Sequence, residues 1–314
     1  MEFVVNGPIP EDFMTNTENR LKPFRFDEEK TELFVLDQLL LPHKFEYVPV
    51  KNTRDAFSVI RKMQVRGAPL IAIVGALGLL VETCAGVVTR LRVLRAILKL
   101  LHDEAEENRR LIRNLTTSDS KFILMTICNT GSLATSSWGT ALGVIYALHQ
   151  EDLVEMVYVL ETRPYNQGVR LTATEFLHAK VPFKVITDSM AAWAMKSHRI
   201  DAILVGADQV TLNGDVTNKI GTYMLGLLAK YHDVPFYAVV PVTSINLMRQ
   251  SGDQITIEER PAEEMLSVGG FYVGNMNTPV WNPAFDVTPA ELITKIITDR
   301  GNFAPKCLKL ANLT

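Results

Sequence analysis

The chain has 314 residues, of which 47% are hydrophobic and 21% charged, ordinary values for a globular protein long enough to bury a large core. A net charge of −3 with both signs interspersed argues against a nucleic-acid partner. Three cysteines, Cys84, Cys128 and Cys307, are too few and too odd for a disulfide framework, so a reducing compartment is predicted.

Residues 1–20 lack the continuous apolar core of a targeting segment. The most apolar run, residues 69–81, is too short to span a bilayer and suits a buried helix. The expectation is a cytoplasmic protein, with nuclear access open and no membrane contact.

Along the chain, residues 34–41 form an apolar β segment that ends at Pro42. Asn52 or Thr53 can cap a helix running to Gln64, with Phe57, Ile60 and Met63 on one stripe. A second helix starts at Pro69, and a third, amphipathic and rich in Arg and Glu, covers residues 89–108 as a solvated face. From residue 121 the texture changes. Short apolar runs at 122–127, 156–160, 183–187, 202–206 and 236–240 alternate with helical stretches at 137–149, 169–178, 190–197 and 219–231. That alternation predicts βαβ units, a parallel sheet and helices on both faces. The predicted fold is α/β: a mainly helical N-terminal domain, residues 1–118, then a doubly wound parallel-sheet domain, residues 119–314.

Ligands of open α/β sheets bind beyond the carboxyl ends of the strands. Applied strand by strand, the rule gathers Cys128, Glu161 and Arg163, Asp188 and Asp208 on one edge. Cys128 ends a strand and precedes Gly131-Ser132-Leu133-Ala134, read as a helix start, where a thiol is favoured as thiolate. The competing reading is a buried structural cysteine. Asp208 stands beside Gly206, which admits close approach of a ligand to the backbone; the competing reading is a turn or cap aspartate. Asn218 and Lys219 are expected at a helix start, where a cation makes sense if both face an anion such as phosphate; otherwise Lys219 is a surface lysine. Arg66-Gly67-Ala68-Pro69 is a similar device, with backbone N–H groups of Gly67 and Ala68 beside the Arg66 fork, or else a tight interhelix turn.

No Gly-x-Gly-x-x-Gly follows a strand, there is no Walker loop or Gly-x-Ser-x-Gly elbow, and the histidines and cysteines show no zinc spacing. The site is expected to use neither cofactor nor metal.

Several segments resemble the methylthioribose-1-phosphate isomerase family, within the superfamily that includes the regulatory subunits of initiation factor eIF2B. They are LDQLLLP at 36–42, VRGAP at 65–69, CNTGSLAT and GTALGVI within 128–145, ETRPYNQGVRLTATE at 161–175 and ITDSM at 186–190. VGADQVTLNGDVTNKIGTY at 205–223, IEERP at 257–261 and WNPAFDVTPAELIT at 281–294 complete the set, in order over most of the chain. The resemblance implies an aldose–ketose isomerase of methionine salvage, with Cys128 and Asp208 catalytic. It implies substrate contacts at Arg66, Gly67, Ala68, Gln167, Asn218 and Lys219. It also implies a Rossmann-like C-terminal domain, a homodimer and a sugar phosphate as the small-molecule partner.

The sequence departs from the family pattern in places. The stretch between the RGAP and CNTG segments is short, and of the family's TRPTAVN-type segment only Thr89-Arg90 is found, which leaves Arg90 as the candidate for its phosphate-holding arginine. Ile127 precedes the cysteine where a histidine is usual, Gln209 follows Asp208 where an arginine is usual, and GALGLL replaces a more alanine-rich helix. Two other functions remain open: a non-catalytic regulatory subunit, and an isomerase of another ribose 1-phosphate.

Overall fold

The computed structural model describes residues 20–27, 30–82, 121–135 and 138–310. The predicted 89–108 helix, Arg90, Cys84 and the domain boundary near residue 118 lie outside the described residues. No helix among the described residues is long and apolar enough to cross a membrane.

The N-terminal part is richer in strand than the sequence suggests. Strands β1 (Phe24–Asp27), β2 (Glu32–Leu36) and β3 (Tyr47–Val50) form an antiparallel sheet in the order β1-β2-β3. Helices α1 (Thr53–Arg61) and α2 (Ala68–Glu82) pack on it. Asn52 caps α1 by accepting the Asp55 N–H at 2.8 Å. The buried face of α1 is Ala56 and Val59, and Phe57 is 62% exposed, so the expected stripe is displaced by about one position. Leu33, Val35, Val50, Leu70, Val74 and Leu77 close this small core.

The main sheet has seven strands in the order β16-β15-β10-β7-β4-β5-β6. These are β4 (Phe122–Thr126), β5 (Val154–Leu160), β6 (Phe183–Ile186), β7 (Ala202–Val205), β10 (Phe236–Val239), β15 (Lys295–Thr298) and β16 (Gly301–Phe303). All pair in parallel except β16, which runs antiparallel along β15 at the edge. The connecting helices are α3 (Ala141–Gln150), α4 (Ala173–Ala179), α5 (Ala191–Ser197) and α6 (Thr222–Tyr231). Continuous apolar runs such as Ala202-Ile203-Leu204-Val205 are buried throughout, as strands covered on both faces must be. Leu124, Val157 and Val159 face Leu142, Ile145 and Phe176 on one side. Met125, Ile203, Val205 and Phe236 face Ala191, Ala194 and Leu225 on the other.

The strand order reverses between β4 and β7. β4 continues to β5 and β6 on one side, while β7 continues to β10 and β15 on the other. Such a switch point opens a crevice at the carboxyl ends of the two strands. A second sheet, in the order β11-β8-β9-β14, stands over that end. It consists of β8 (Gln209–Thr211), β9 (Val216–Lys219), β11 (Ile245–Asn246) and β14 (Phe285–Thr288). A short helix α7 (Ala262–Leu266) leads into the hairpin β12 (Ser267–Val268) and β13 (Phe271–Tyr272).

The two parts meet at Gly67. Its φ is +92°, and a Cβ there would come within 2.1 Å of the Ala134 carbonyl oxygen. Gln38 adds a hydrogen bond from Nε2 to the Leu133 carbonyl at 2.8 Å. Gly67→Ala is therefore expected to destabilise the fold by on the order of 3 kcal/mol, because it combines a left-handed backbone with a clash against main chain. Urea denaturation checks it; an unchanged midpoint would refute the close approach.

Candidate active site

Cys128 and Asp208 follow β4 and β7, the adjacent strands that flank the switch point. Two of the five residues gathered by the strand-end rule thus stand beyond the carboxyl ends of neighbouring strands. Cys128 is buried, with φ +64°, a left-handed conformation uncommon outside glycine. Arg66 reaches it from the N-terminal part, Nη2 to Sγ at 3.7 Å. Nε and Nη1 of Arg66 are buried without a partner, so the guanidinium keeps donors for an anion.

The helix start expected after Cys128 is absent. Residues Ser132–Ala134 make a single 3-10 turn, and α3 begins only at Ala141. The positive group beside the thiol is the Arg66 guanidinium and not a helix dipole. Among the described residues Cys128 is a free, buried thiol.

Asp208 keeps exposed surface, with Lys219 and Arg66 close enough to act on its charge. Burial raises its pKa above the ordinary carboxylate value, and the charges of Lys219 and Arg66 pull it partly back. Lys219 shows the converse. Burial lowers its pKa, the neighbouring Cys128 opposes this, Arg66 adds to the lowering, and Asp208 and Glu258 oppose it further. Cys128, Asp208, Arg66, Lys219 and Glu258 therefore form one electrostatically coupled set.

Asn218 and Lys219 are not in a helix. They end β9, where Asn218 pairs with Asp286 and Lys219 with Phe285 of β14, and α6 starts only after Gly221 at φ +101°. The expected clash of Lys219 with a helix dipole does not arise. Lys219 Nζ instead lies 4.6 Å from the centre of the Phe285 ring, and Asn218 donates to Thr222 Oγ1 at 3.0 Å.

A small pocket beside these residues is lined by Gln167, Lys219, Tyr165, Phe285, Glu258 and Arg260, among others. It includes two of the predicted contacts, while Arg66, Cys128 and Asp208 lie outside its lining. Gln167 is buried with its Oε1 unpartnered. Glu258 and Arg260, quoted within the IEERP segment but given no role there, enter by a short backbone pairing, Ala284 N–H to the Glu258 carbonyl and Arg260 N–H to the Asn282 carbonyl. Of the other strand-end residues, Asp188 accepts the backbone N–H groups of Thr162 and Arg163 at 2.9 and 2.7 Å, a structural task. Arg163 donates to the carbonyls of Pro164 and Met265, again to the fold itself.

Sequence comparison over nearly the full chain decides the family. The chain is 52% identical to the methylthioribose-1-phosphate isomerase of Caenorhabditis briggsae, covering 98% of this chain and 97% of that protein. The Nematostella vectensis isomerase is 41% identical, covering 90% and 95%. The chain belongs to the methylthioribose-1-phosphate isomerase family. The model of the initiation factor 2 subunit family matches residues 87–305. The crystal structure of 5-methylthioribose 1-phosphate isomerase from Pyrococcus horikoshii superposes with a TM-score of 0.86 at 31% identity, covering 97% of this chain and 98% of that one. The initiation factor eIF-2B delta subunit from A. fulgidus does so at 0.82, also at 31% identity, covering 91% and 97%. The mixed α/β fold with a parallel sheet is thus common to isomerases and initiation-factor subunits. Alignment with the C. briggsae isomerase spans 356 positions, more than the 314 residues here, so that relative carries residues this chain lacks.

One further carboxylate braces the isomerase cleft. Asp286 accepts the N–H groups of Gly221 and Tyr223 at 2.7 and 3.1 Å and so holds the turn after Lys219. Burial lifts its pKa to about 6, with those hydrogen bonds opposing. A folded pKa above the unfolded one means that the folded state holds the proton more tightly between about pH 4 and 6. Asp286 is therefore expected to contribute stability that is present below pH 4 and lost as pH rises to 6, on the order of 2–3 kcal/mol. Urea titrations of wild type and Asp286→Asn across this range test it, and parallel curves would contradict it.

Proposed function

We propose that this protein converts 5-methylthioribose 1-phosphate into 5-methylthioribulose 1-phosphate. The observation that carries the proposal is the charged set at the switch point: a free thiol with Arg66 at 3.7 Å, a carboxyl group whose pKa is raised, and Lys219 acting on both. The phosphate on C1 keeps the sugar closed, so the ring must open before hydrogen can move. A protonated Asp208 supplies the acid for the ring oxygen. Hydrogen then moves from C2 to C1. Cys128 acts as the base in an enediol route, or stabilises the transition state of a hydride shift.

The sugar phosphate is assigned to Arg66, the backbone of Gly67 and Ala68, Arg90, Gln167, Asn218 and Lys219. Buried Arg66 donors without a partner and the half-buried Lys219 amine support the anion end of this assignment. The reading carries with it a mainly helical N-terminal domain to residue 118, a Rossmann-like catalytic domain from residue 119, a homodimer, and a cytoplasmic protein with access to the nucleus.

A coupled assay on methylthioribose 1-phosphate tests the function. Turnover by purified, folded protein is expected, and its absence would sink the proposal. Within it, Arg66→Ala is expected to raise KM at least tenfold, the effect of removing a charge-assisted contact worth about 1.5–3 kcal/mol. An unchanged KM would take the phosphate away from Arg66.

A further inference from the structure

We infer that Thr162 and Thr172 clamp the Cys128 peptide, with the buried carboxylate of Glu175 as anchor, and that these are positioning residues for the thiol. The role assigned to the thiol rests on the function proposed above; the clamp itself does not. A left-handed conformation at a non-glycine residue persists where its surroundings over-determine it. Here both ends of the residue are held. The Cys128 N–H donates to Thr162 Oγ1 at 2.8 Å, and the Cys128 carbonyl accepts from Thr172 Oγ1 at 2.5 Å. Thr162 and Thr172 are both fully buried. Neither can meet substrate, so whatever they do passes through Cys128.

Each hydroxyl is itself fixed. Thr162 Oγ1 donates to the Leu160 carbonyl at 3.0 Å, and Asp188 holds the Thr162 N–H. Thr162 is left-handed too, at φ +66°, an outlier for a β-branched residue. Thr172 is the last residue of the π-helical turn Gly168–Thr172, a widened turn of the kind that gathers at functional sites. Asn129 Nδ2 donates to Thr172 Oγ1 at 3.2 Å and to Glu175 Oε1 at 2.9 Å.

Glu175 is 3% exposed and binds the loop that follows the thiol. It accepts from the Ser132 N–H and hydroxyl, each at 2.8 Å, from the Leu133 N–H at 3.1 Å and from the Tyr146 hydroxyl at 2.8 Å. Gly131 lies flat on the carboxylate, since a Cβ there would come within 2.4 Å of Oε2. Five donors converge on an acceptor-only group. A carboxamide at the same place would turn N–H toward N–H, so the two acceptor oxygens matter and not just the volume.

The test uses full-length protein carrying Cys84→Ser and Cys307→Ser, so that Cys128 is the one thiol read. Thr172→Val removes the donor to the Cys128 carbonyl and keeps the volume; Thr172→Ser keeps the donor. The readouts are the rate and pH profile of Cys128 alkylation by iodoacetamide, and kcat against KM on methylthioribose 1-phosphate. Thr172→Val is expected to change the alkylation profile and lower kcat at least tenfold with KM within about threefold, and Thr172→Ser to restore both. Glu175→Gln is expected to follow Thr172→Val. If Glu175→Gln does not fold, the Thr172 pair decides alone. A folded Thr172→Val that matches the parent protein in alkylation and kcat overturns the clamp. Parent protein that is alkylated normally but turns nothing over defeats the function while leaving the alkylation arm able to judge the clamp.

Discussion

Asp208→Asn is expected to lower kcat by about 10³-fold while KM stays within threefold, the size of a lost general acid. The carboxamide keeps the shape and polarity of the side chain but has no acidic proton for the ring oxygen. Stability separates this loss from unfolding. Burial raises the folded pKa of Asp208 above its unfolded value. Its contribution to stability is therefore full below the unfolded pKa and declines as pH rises through the folded one. At neutral pH the asparagine variant is expected to melt no lower than wild type, since it removes a charge that folding disfavours. Wild-type kcat/KM should likewise fall on the alkaline side as pH passes the raised pKa of Asp208, and this limb should vanish in the variant. A variant that keeps the limb, or most of the activity, would take the acid role away from Asp208.

Much of that site is legible in the sequence because it depends on strand ends. Each apolar run of the main sheet stops where polar residues take over, and a parallel sheet brings those stops to one edge. All five expected strands are present within two residues at each end. The rule therefore found Cys128 and Asp208 without knowing that their strands would be neighbours. What it could not give was the switch point, because strand order is decided by which apolar faces pack and not by local pattern. Strands β15 and β16 were missed for the same reason: short runs late in the chain acquire their partners only in the folded sheet.

The error at Lys219 has a similar cause. Val-Thr-Asn-Lys before an apolar stretch reads as the start of a helix, but pairing with β14 makes it a strand, and Gly221 delays the helix. The displaced stripe of α1 shows a different limit. Phe57 is more apolar than Ala56, yet the small residue faces inward, where Gly78 of α2 leaves no room: a Cβ on Gly78 would come within 2.5 Å of Ala56 Cβ. Close packing can override hydrophobicity ranking at one position. Arg66 beside Cys128 joins segments 62 residues apart, and no periodicity signals it; only resemblance put both in one site.

Cys128→Ala is expected to lower kcat by about 10³-fold, and Cys128→Ser to recover little of it. The serine hydroxyl is far harder to ionise than a thiol, so it cannot replace a thiolate as base, although it fits the same space. A group that merely fills the floor of the cleft would behave oppositely: serine would be close to wild type and alanine mildly impaired. Arg66 sharpens the distinction, because its Nη2 at 3.7 Å from Sγ can serve as counter-ion to a thiolate. The two transfer routes leave different marks on the product. Turnover in deuterated water places solvent deuterium on C1 when Cys128 removes the C2 proton and the site exchanges it. A hydride shift keeps the original hydrogen, and Cys128 then acts on the transition state through charge. Near wild-type activity in folded Cys128→Ala would exclude both roles and return the thiol to structural packing.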